Sequence, residues 1–448
     1  MKLRIYTTLL VLLTAFTVKA QDAEQPLDTL TRHVAGIRQE LDVLKRIKLS
    51  GYIQAQYQVA DSGGISSYAG GNFASGVDKR FMLRRARLKA QYDAPFNDKG
   101  ISTSQYVFQI DVSEKGATIK DMYAKFTDPW CGWFSLTAGM QNRPFGYEIG
   151  YSSSLRESPE RGRMSQIIFP GERDLGAMLT IQGPKTSNWN WLKIDAGYFN
   201  GLGGPSALAT ANEFDKFKDF IAHIGINRST KSEKIKWGLG ASIYNGGYRV
   251  DTVNTYIFDT DSTGIAGFKL DTKKADVSAN INSREEIMRS YVGFDGQFSV
   301  DWVGGLTTIR GEYIMGEQPG ISTSSASLAA PSASDFYTRK FNGMYFYLVQ
   351  NIGHTPLQAI VKYDSYDPNT EVSGDEIGLA TQQSGFKSTG STDIAYNTLG
   401  LGLAYRWDAA VKLTAYWDKV TNETSEKLAG YTNDLKDNVF TLRLQVKF

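Results

Sequence analysis

Cysteine is nearly absent from this chain. Cys131 stands alone among 448 residues, so no intramolecular disulfide can hold the fold. Long apolar runs are missing too. After the first twenty residues no stretch reaches the ~18 apolar residues that a membrane-spanning helix needs, which excludes a helical bundle in the bilayer. It does not exclude strands, which cross a membrane with about 9–11 alternating residues. Histidine is scarce, and His33, His223 and His354 lie far apart. Neither HExxH nor GxSxG occurs, and the glycine runs at 238–240 and 400–402 interrupt alternating segments instead of preceding helices. These absences argue for a protein that is not an enzyme and has no cofactor and no metal. The acidic stretches 259–264 and 364–376 read as solvated turns before they read as calcium loops.

A preponderance of one charge is also lacking. The chain carries +2 in total, and removal of Lys2, Arg4 and Lys19 with the first twenty residues leaves −1. So balanced a surface gives no case for a nucleic-acid partner, and any electrostatic selectivity has to be local.

What is present begins with an export signal. Lys2 and Arg4 precede an apolar run from Ile5 to Val18, and Val18-Lys19-Ala20 offers a small-residue cleavage site before Gln21. Residues 1–20 are therefore set aside as a signal peptide. In 21–46, Leu27, Leu30, Val34, Ile37, Leu41 and Leu44 recur at spacings of three and four, a helical seam. It reads either as a short periplasmic helix packed on the end of a larger domain or as a coiled coil joining subunits.

From Ile47 the period becomes two. The last segment is the clearest: Phe440, Leu442, Leu444, Val446 and Phe448 alternate with Thr441, Arg443, Gln445 and Lys447. Sixteen such strands are predicted, at 47–59, 80–92, 104–113, 119–127, 133–141, 174–182, 191–200, 219–228, 235–244, 289–298, 305–316, 339–352, 357–366, 395–407, 410–421 and 437–448. Connections after even-numbered strands are mostly short. Those after odd-numbered strands are long, apart from 114–118. Short turns on one side and long loops on the other mark a transmembrane β-barrel with both ends in the periplasm. Trp130, Trp133, Trp189, Trp191, Trp237, Trp302 and Trp407 lie at or near the short turns, as an interfacial aromatic girdle would. The expected fold is all-β: a sixteen-stranded antiparallel barrel over 47–448 in outer-membrane lipid, with a short helix beneath it.

Three stretches resemble the phosphate-selective porin O and P family. They are Gln141-Asn-Arg-Pro-Phe-Gly-Tyr-Glu148, Ser152-Ser-Ser-Leu-Arg-Glu-Ser-Pro-Glu-Arg161 and Phe169-Pro-Gly-Glu-Arg173-Asp-Leu-Gly176. Arg84-Arg-Ala-Arg-Leu88 and Lys120-Asp-Met-Tyr123 resemble it as well. The resemblance covers about 45–448. It implies a trimer of sixteen-stranded barrels in the outer membrane of a Gram-negative cell, with the third long loop, here 142–173, folded inward as a constriction.

Parity along the second strand puts Met82, Ala86, Leu88, Ala90 and Tyr92 toward lipid. Arg85, Arg87 and Lys89 then face the lumen, at ~7 Å per step. Arg84 falls on the lipid side unless the strand bulges there. The third loop adds Arg143, Arg156, Arg161, Arg163 and Arg173 against Glu148, Glu157, Glu160 and Glu172. Most of these arginines are expected to anchor the loop, with one or two left free. Asp121 and Lys125 face inward on the fourth strand, and the remaining luminal charges are of mixed sign. Guanidinium groups bind phosphate or carboxylate oxygens in pairs and keep their charge. The leading expectation is a passive channel for small anions such as phosphate. The alternative is a weakly selective or oligosaccharide-permeable porin, since mixed charge and many tyrosines suit polar solutes. A third reading is a protein that transports nothing and uses its loops and helix as links.

Overall fold

The computed structural model describes residues 31–38, 41, 43–201, 215–250, 254–271, 286–328 and 334–448. The expected signal peptide and the first part of the helical seam lie outside the described residues. Residues 31–38, 41, 43 and 44 belong to a helix, α1, that leads directly into the first strand. Val34, Ile37, Leu41 and Leu44 on its seam are all exposed.

Among the described residues nineteen strands follow, with one short α-helix among them. They are β1 (Ile47–Ala60), β2 (Lys79–Asp93), β3 (Ser104–Ser113), β4 (Gly116–Thr127), β5 (Phe134–Asn142), α2 (Arg163–Ile168), β6 (Arg173–Gln182), β7 (Leu192–Phe199), β8 (Asp219–Ser229), β9 (Ile235–Arg249), β10 (Thr255–Thr260), β11 (Ala266–Leu270), β12 (Glu286–Trp302), β13 (Gly305–Gly320), β14 (Phe336–Asn351), β15 (Leu357–Asp367), β16 (Phe386–Ser388), β17 (Tyr396–Arg406), β18 (Val411–Asn422) and β19 (Val439–Lys447). Sixteen of them, all but β10, β11 and β16, pair antiparallel with two neighbours and close into a ring. The ring is sealed by β1 against β19, where Gly51 and Phe448 exchange main-chain hydrogen bonds of 2.9 and 3.0 Å. Every one of the sixteen predicted strands is present.

Alternation sets the faces. On β19, Thr441, Arg443 and Gln445 are buried inside, whereas Phe440, Leu442, Leu444 and Val446 stand exposed on the outside. A closed sheet leaves no unpaired edge, so the outer face needs only apolar side chains to sit in lipid. Trp130, Trp189, Trp237, Trp302 and Trp407 are exposed at the short-turn end.

Three expectations change. The stretches 245–288 and 367–394 are not plain loops. A hairpin, β10–β11, rises from the first, pairs in parallel with the start of β14, and receives β16 from the second. On β2, Met82 faces the lumen, where the side-chain amide of Gln56 reaches its sulfur at 3.0 Å. Arg84 is the extra residue of a bulge, because Gln54 pairs with Arg85 and Ala55 with Leu83. A second bulge sits at Lys120: Gln109 pairs with Asp121, and Ile110 with Ile119. A bulge breaks the two-residue period, so neighbours in sequence turn to one face. The strand changes parity there, with Phe81 and Leu83 outward before the bulge and Ala86 and Leu88 outward after it.

Residues 143–172 lie inside the barrel. Their apolar half, Phe145, Ile149, Met164, Ile168 and Phe169, packs against Tyr244, Tyr291, Phe341 and Tyr345 of β9, β12 and β14. Phe145 is the hub, with ring centres 5.2 Å from Phe169, 6.3 Å from Tyr244 and 6.4 Å from Tyr291. Aromatic packing of this kind fills the lumen on the β12–β15 side. Next to it in the ring, β6 to β9 present Gly176, Gly197, Gly225, Gly238 and Gly240 inward, and the side chains of Phe199, His223, Asn227, Asp295 and Gln297 lie over them.

Candidate functional site

The polar half of the inner segment carries two carboxylates, each ringed by cations. Glu160 receives a two-pronged hydrogen bond from Arg84 at 2.8 and 2.9 Å, and Arg443 reaches it at 3.0 Å and Arg85 at 3.5 Å. Glu172 has Arg173 at 3.4 Å, Arg161 at 3.6 Å and Lys120 at 3.8 Å. Each carboxylate thus uses one residue from a bulge. Counted back from Ala86 and from Met122 in a regular ladder, Arg84 and Lys120 would fall on the outer face. Burial alone pushes both carboxyl groups up, but the surrounding cations outweigh it and hold them well below the usual carboxylate range. Three cations on one carboxylate leave an excess of positive charge at each cluster.

Most of the predicted arginines are spent on anchoring. Arg143 donates to the Gly171 carbonyl and lies 5.0 Å from the Phe169 ring centre. Arg161 donates to the carbonyls of Ser165 and Phe169, both at 3.2 Å. Arg163 bonds the Ser67 carbonyl at 2.7 Å and sits over Tyr396, tying the inner segment to the first long loop. Arg173 pairs with Asp121 at 3.0 Å. On β2, Arg85 also meets Gln54 at 3.4 Å, and Arg87 pairs with Asp111 at 2.9 Å.

Three cations are less committed. Arg156 is 4 % exposed, yet its Nε and one Nη have no hydrogen-bond partner; the other Nη is 3.4 Å from the Tyr151 carbonyl. Lys89 and Lys125 face the lumen with no ion pair among the described residues. Arg156 and Lys89, with Arg87 and Arg173, line a cavity of about 170 Å³ between the inner segment and the β2–β4 wall, shared with Asp121 and Glu172. Lys125 is on the same wall but does not line it. A buried guanidinium with unused N–H groups is costly unless an acceptor completes it.

Three cations of the clusters are not among the site residues that the sequence predicts: Arg443 and the two bulge residues, Arg84 and Lys120. Arg443 was placed on the luminal face, but its contact with Glu160 spans 283 residues and leaves no local trace. The bulges do leave one: the apolar parity flips between Leu83 and Ala86, and again between Ile119 and Met122.

Two solved structures are similar to this chain in fold. One is the outer membrane channel DcaP of Acinetobacter baumannii, 11 % identical, with a TM-score of 0.52 and coverage of 90 % of this chain and 97 % of that one. The other is OprB of Pseudomonas putida, 11 % identical, with a TM-score of 0.55 and coverage of 92 % and 97 %. No family model and no curated protein matches the chain. At such identity the likeness is one of fold: the chain has the architecture of an outer-membrane channel. The narrower resemblance to the phosphate-selective family is not reached by these matches.

Proposed function

We propose that the chain is an outer-membrane porin, exported by its signal peptide, through which small anions pass by diffusion, phosphate-like solutes first among them. The observation that carries this reading is Arg156. Arg156 lines a luminal cavity with Arg87 and Lys89, beside two clusters of surplus positive charge, and two of its buried N–H groups have no partner. Residues 143–172 act as the constriction, and Arg85, Arg87, Lys89, Arg156 and Lys125 set the potential along it. Conduction needs sites that are attractive but weak. Arg143, Arg161, Arg163 and Arg173 serve as anchors, and Asp121 and Glu172 temper the field so that an anion can leave.

Reversal potential in a planar bilayer under a KCl gradient tests the reading. The wild-type channel should prefer chloride. Arg87→Gln/Arg156→Gln should lower the anion-to-cation permeability ratio by about threefold or more, because two positive charges are lost at a narrow, poorly screened point. Cation preference in the wild type, or an unchanged ratio in the variant, refutes it.

A further inference from the structure

A second luminal cavity, of about 450 Å³, lies on the short-turn side against β8, β9 and β12. Its floor is Gly238. In register, Gly238 is flanked by Asn227 on β8 and Gln297 on β12. A Cβ on this glycine would stand 2.5 Å from Asn227 Oδ1 and 2.8 Å from Gln297 Oε1, so two carboxamide oxygens converge over the one missing side chain. Gln297 is held there. Its Nε2 donates to Asp295 Oδ1 at 2.7 Å, and the other oxygen of Asp295 lies 3.1 Å from His223 Nε2. Ser229 and Ser299 add hydroxyl groups to the rim.

The inner segment supplies an aromatic face. Tyr147 lines the cavity and stacks on Tyr151, with ring centres 5.2 Å apart and planes at 27°. Arg310 sits 4.7 Å from the Tyr151 ring centre and is itself bound by Glu157. The Tyr147 ring is thus backed by two further groups. Of the charged groups at the rim, Lys236 pairs with Glu233 at 3.5 Å and Arg228 lies over the Trp191 ring, 4.3 Å from its centre.

The chemistry selects a class of occupant. Converging carbonyl oxygens repel an anion and want hydroxyl donors. A cation finds one carboxylate, already paired. A flat ring beside hydrogen-bonding groups suits a molecule with an apolar C–H face and a polar edge. The volume is within the range of small-molecule sites. We propose that this cavity binds a neutral, polyhydroxylated solute of the sugar type, at a place separate from the cationic cavity.

Single-channel current through the full chain in a planar bilayer tests this, with maltose added at constant KCl on the side of the short turns. The expected result is a saturable fall in current beyond that caused by bulk viscosity. Asn227→Leu/Gln297→Leu and, separately, Tyr147→Ala should each raise the half-blocking concentration about tenfold, the worth of one well-made hydrogen bond or more. A shift from heat-sensitive to heated mobility on a gel establishes that each variant is a closed barrel. A fall that only tracks viscosity, or variants that block like the wild type, overturns the proposal. The anion reading stands or falls on the reversal potential instead, so the two outcomes are separable.

Discussion

Glu160→Gln asks whether charge latches the inner segment to the wall. The substitution keeps size and one carbonyl oxygen but removes the counter-charge of Arg84, Arg85 and Arg443, whose side chains are 27 %, 7 % and 5 % exposed. Deleting one partner of a buried ion pair costs about 3–5 kcal/mol, since the remaining charge is left uncompensated. Here two nearly enclosed guanidinium groups lose their carboxylate at once, and the lumen lets some water in, so about 3 kcal/mol is the reasoned value. Arg84→Gln should cost less, about 1–2 kcal/mol, because Arg85 and Arg443 still neutralise Glu160. Urea unfolding followed by tryptophan fluorescence measures both, and the double variant closes a thermodynamic cycle. A coupling of about 1–2 kcal/mol between Glu160 and Arg84 is expected from their two-pronged contact. If Glu160→Gln unfolds within about 0.5 kcal/mol of the wild type, the latch is not electrostatic and the reasoning fails.

Three further predictions follow from the same geometry. The carboxyl groups of Glu160 and Glu172 titrate below their unfolded value of ~4.3. Their contribution is therefore complete above that pH and lost only as pH falls through the lower folded value, so the difference in stability between the wild type and Glu160→Gln should stay constant from about pH 8 to 5. A difference that changes near pH 6 would contradict this. Deleting Arg84 removes the bulge and leaves Leu83 outward and Arg85 inward in a regular ladder, so the barrel should still form and lose only the Arg84–Glu160 bond. Failure of the deletion to give a heat-shifting band would show the bulge to be needed for folding. The exposed seam on α1 is an apolar stripe without cover in the single chain, and removing 21–46 should weaken a heat-sensitive oligomer on gels; an unchanged oligomer would assign assembly to the barrel alone.

The barrel was legible because its order is local. Each wall strand states its two faces in its own residues, as Phe440 to Phe448 does, and loop lengths state which end is which. The strands β10, β11 and β16 were not legible. They have six, five and three residues, and distant main chain pairs with them. The site was legible in kind but not in pairing. Arg85, Arg87 and Lys89 read as luminal by parity. Which cation meets Glu160 depends on closure of a ring that brings residues 84, 160 and 443 together, and no window of sequence holds that fact. The register error at Met82 had a visible cause, since Phe81 and Leu83 already disagreed with the face assigned after them.

The seam between the first and last strands has a consequence for the order of assembly. Across it, Gln54 bonds Gln445, Gln56 bonds Arg443 and Gln58 bonds Thr441. The inner segment then straddles the same join: the Ser153 carbonyl is held by Gln54 on one side, and those of Ser154 and Pro159 by Gln445 and Arg443 on the other. It works as a clasp fastened from within. The clasp cannot engage until β19 has met β1, so this stretch of the inner segment is fastened on both sides only once the cylinder has closed.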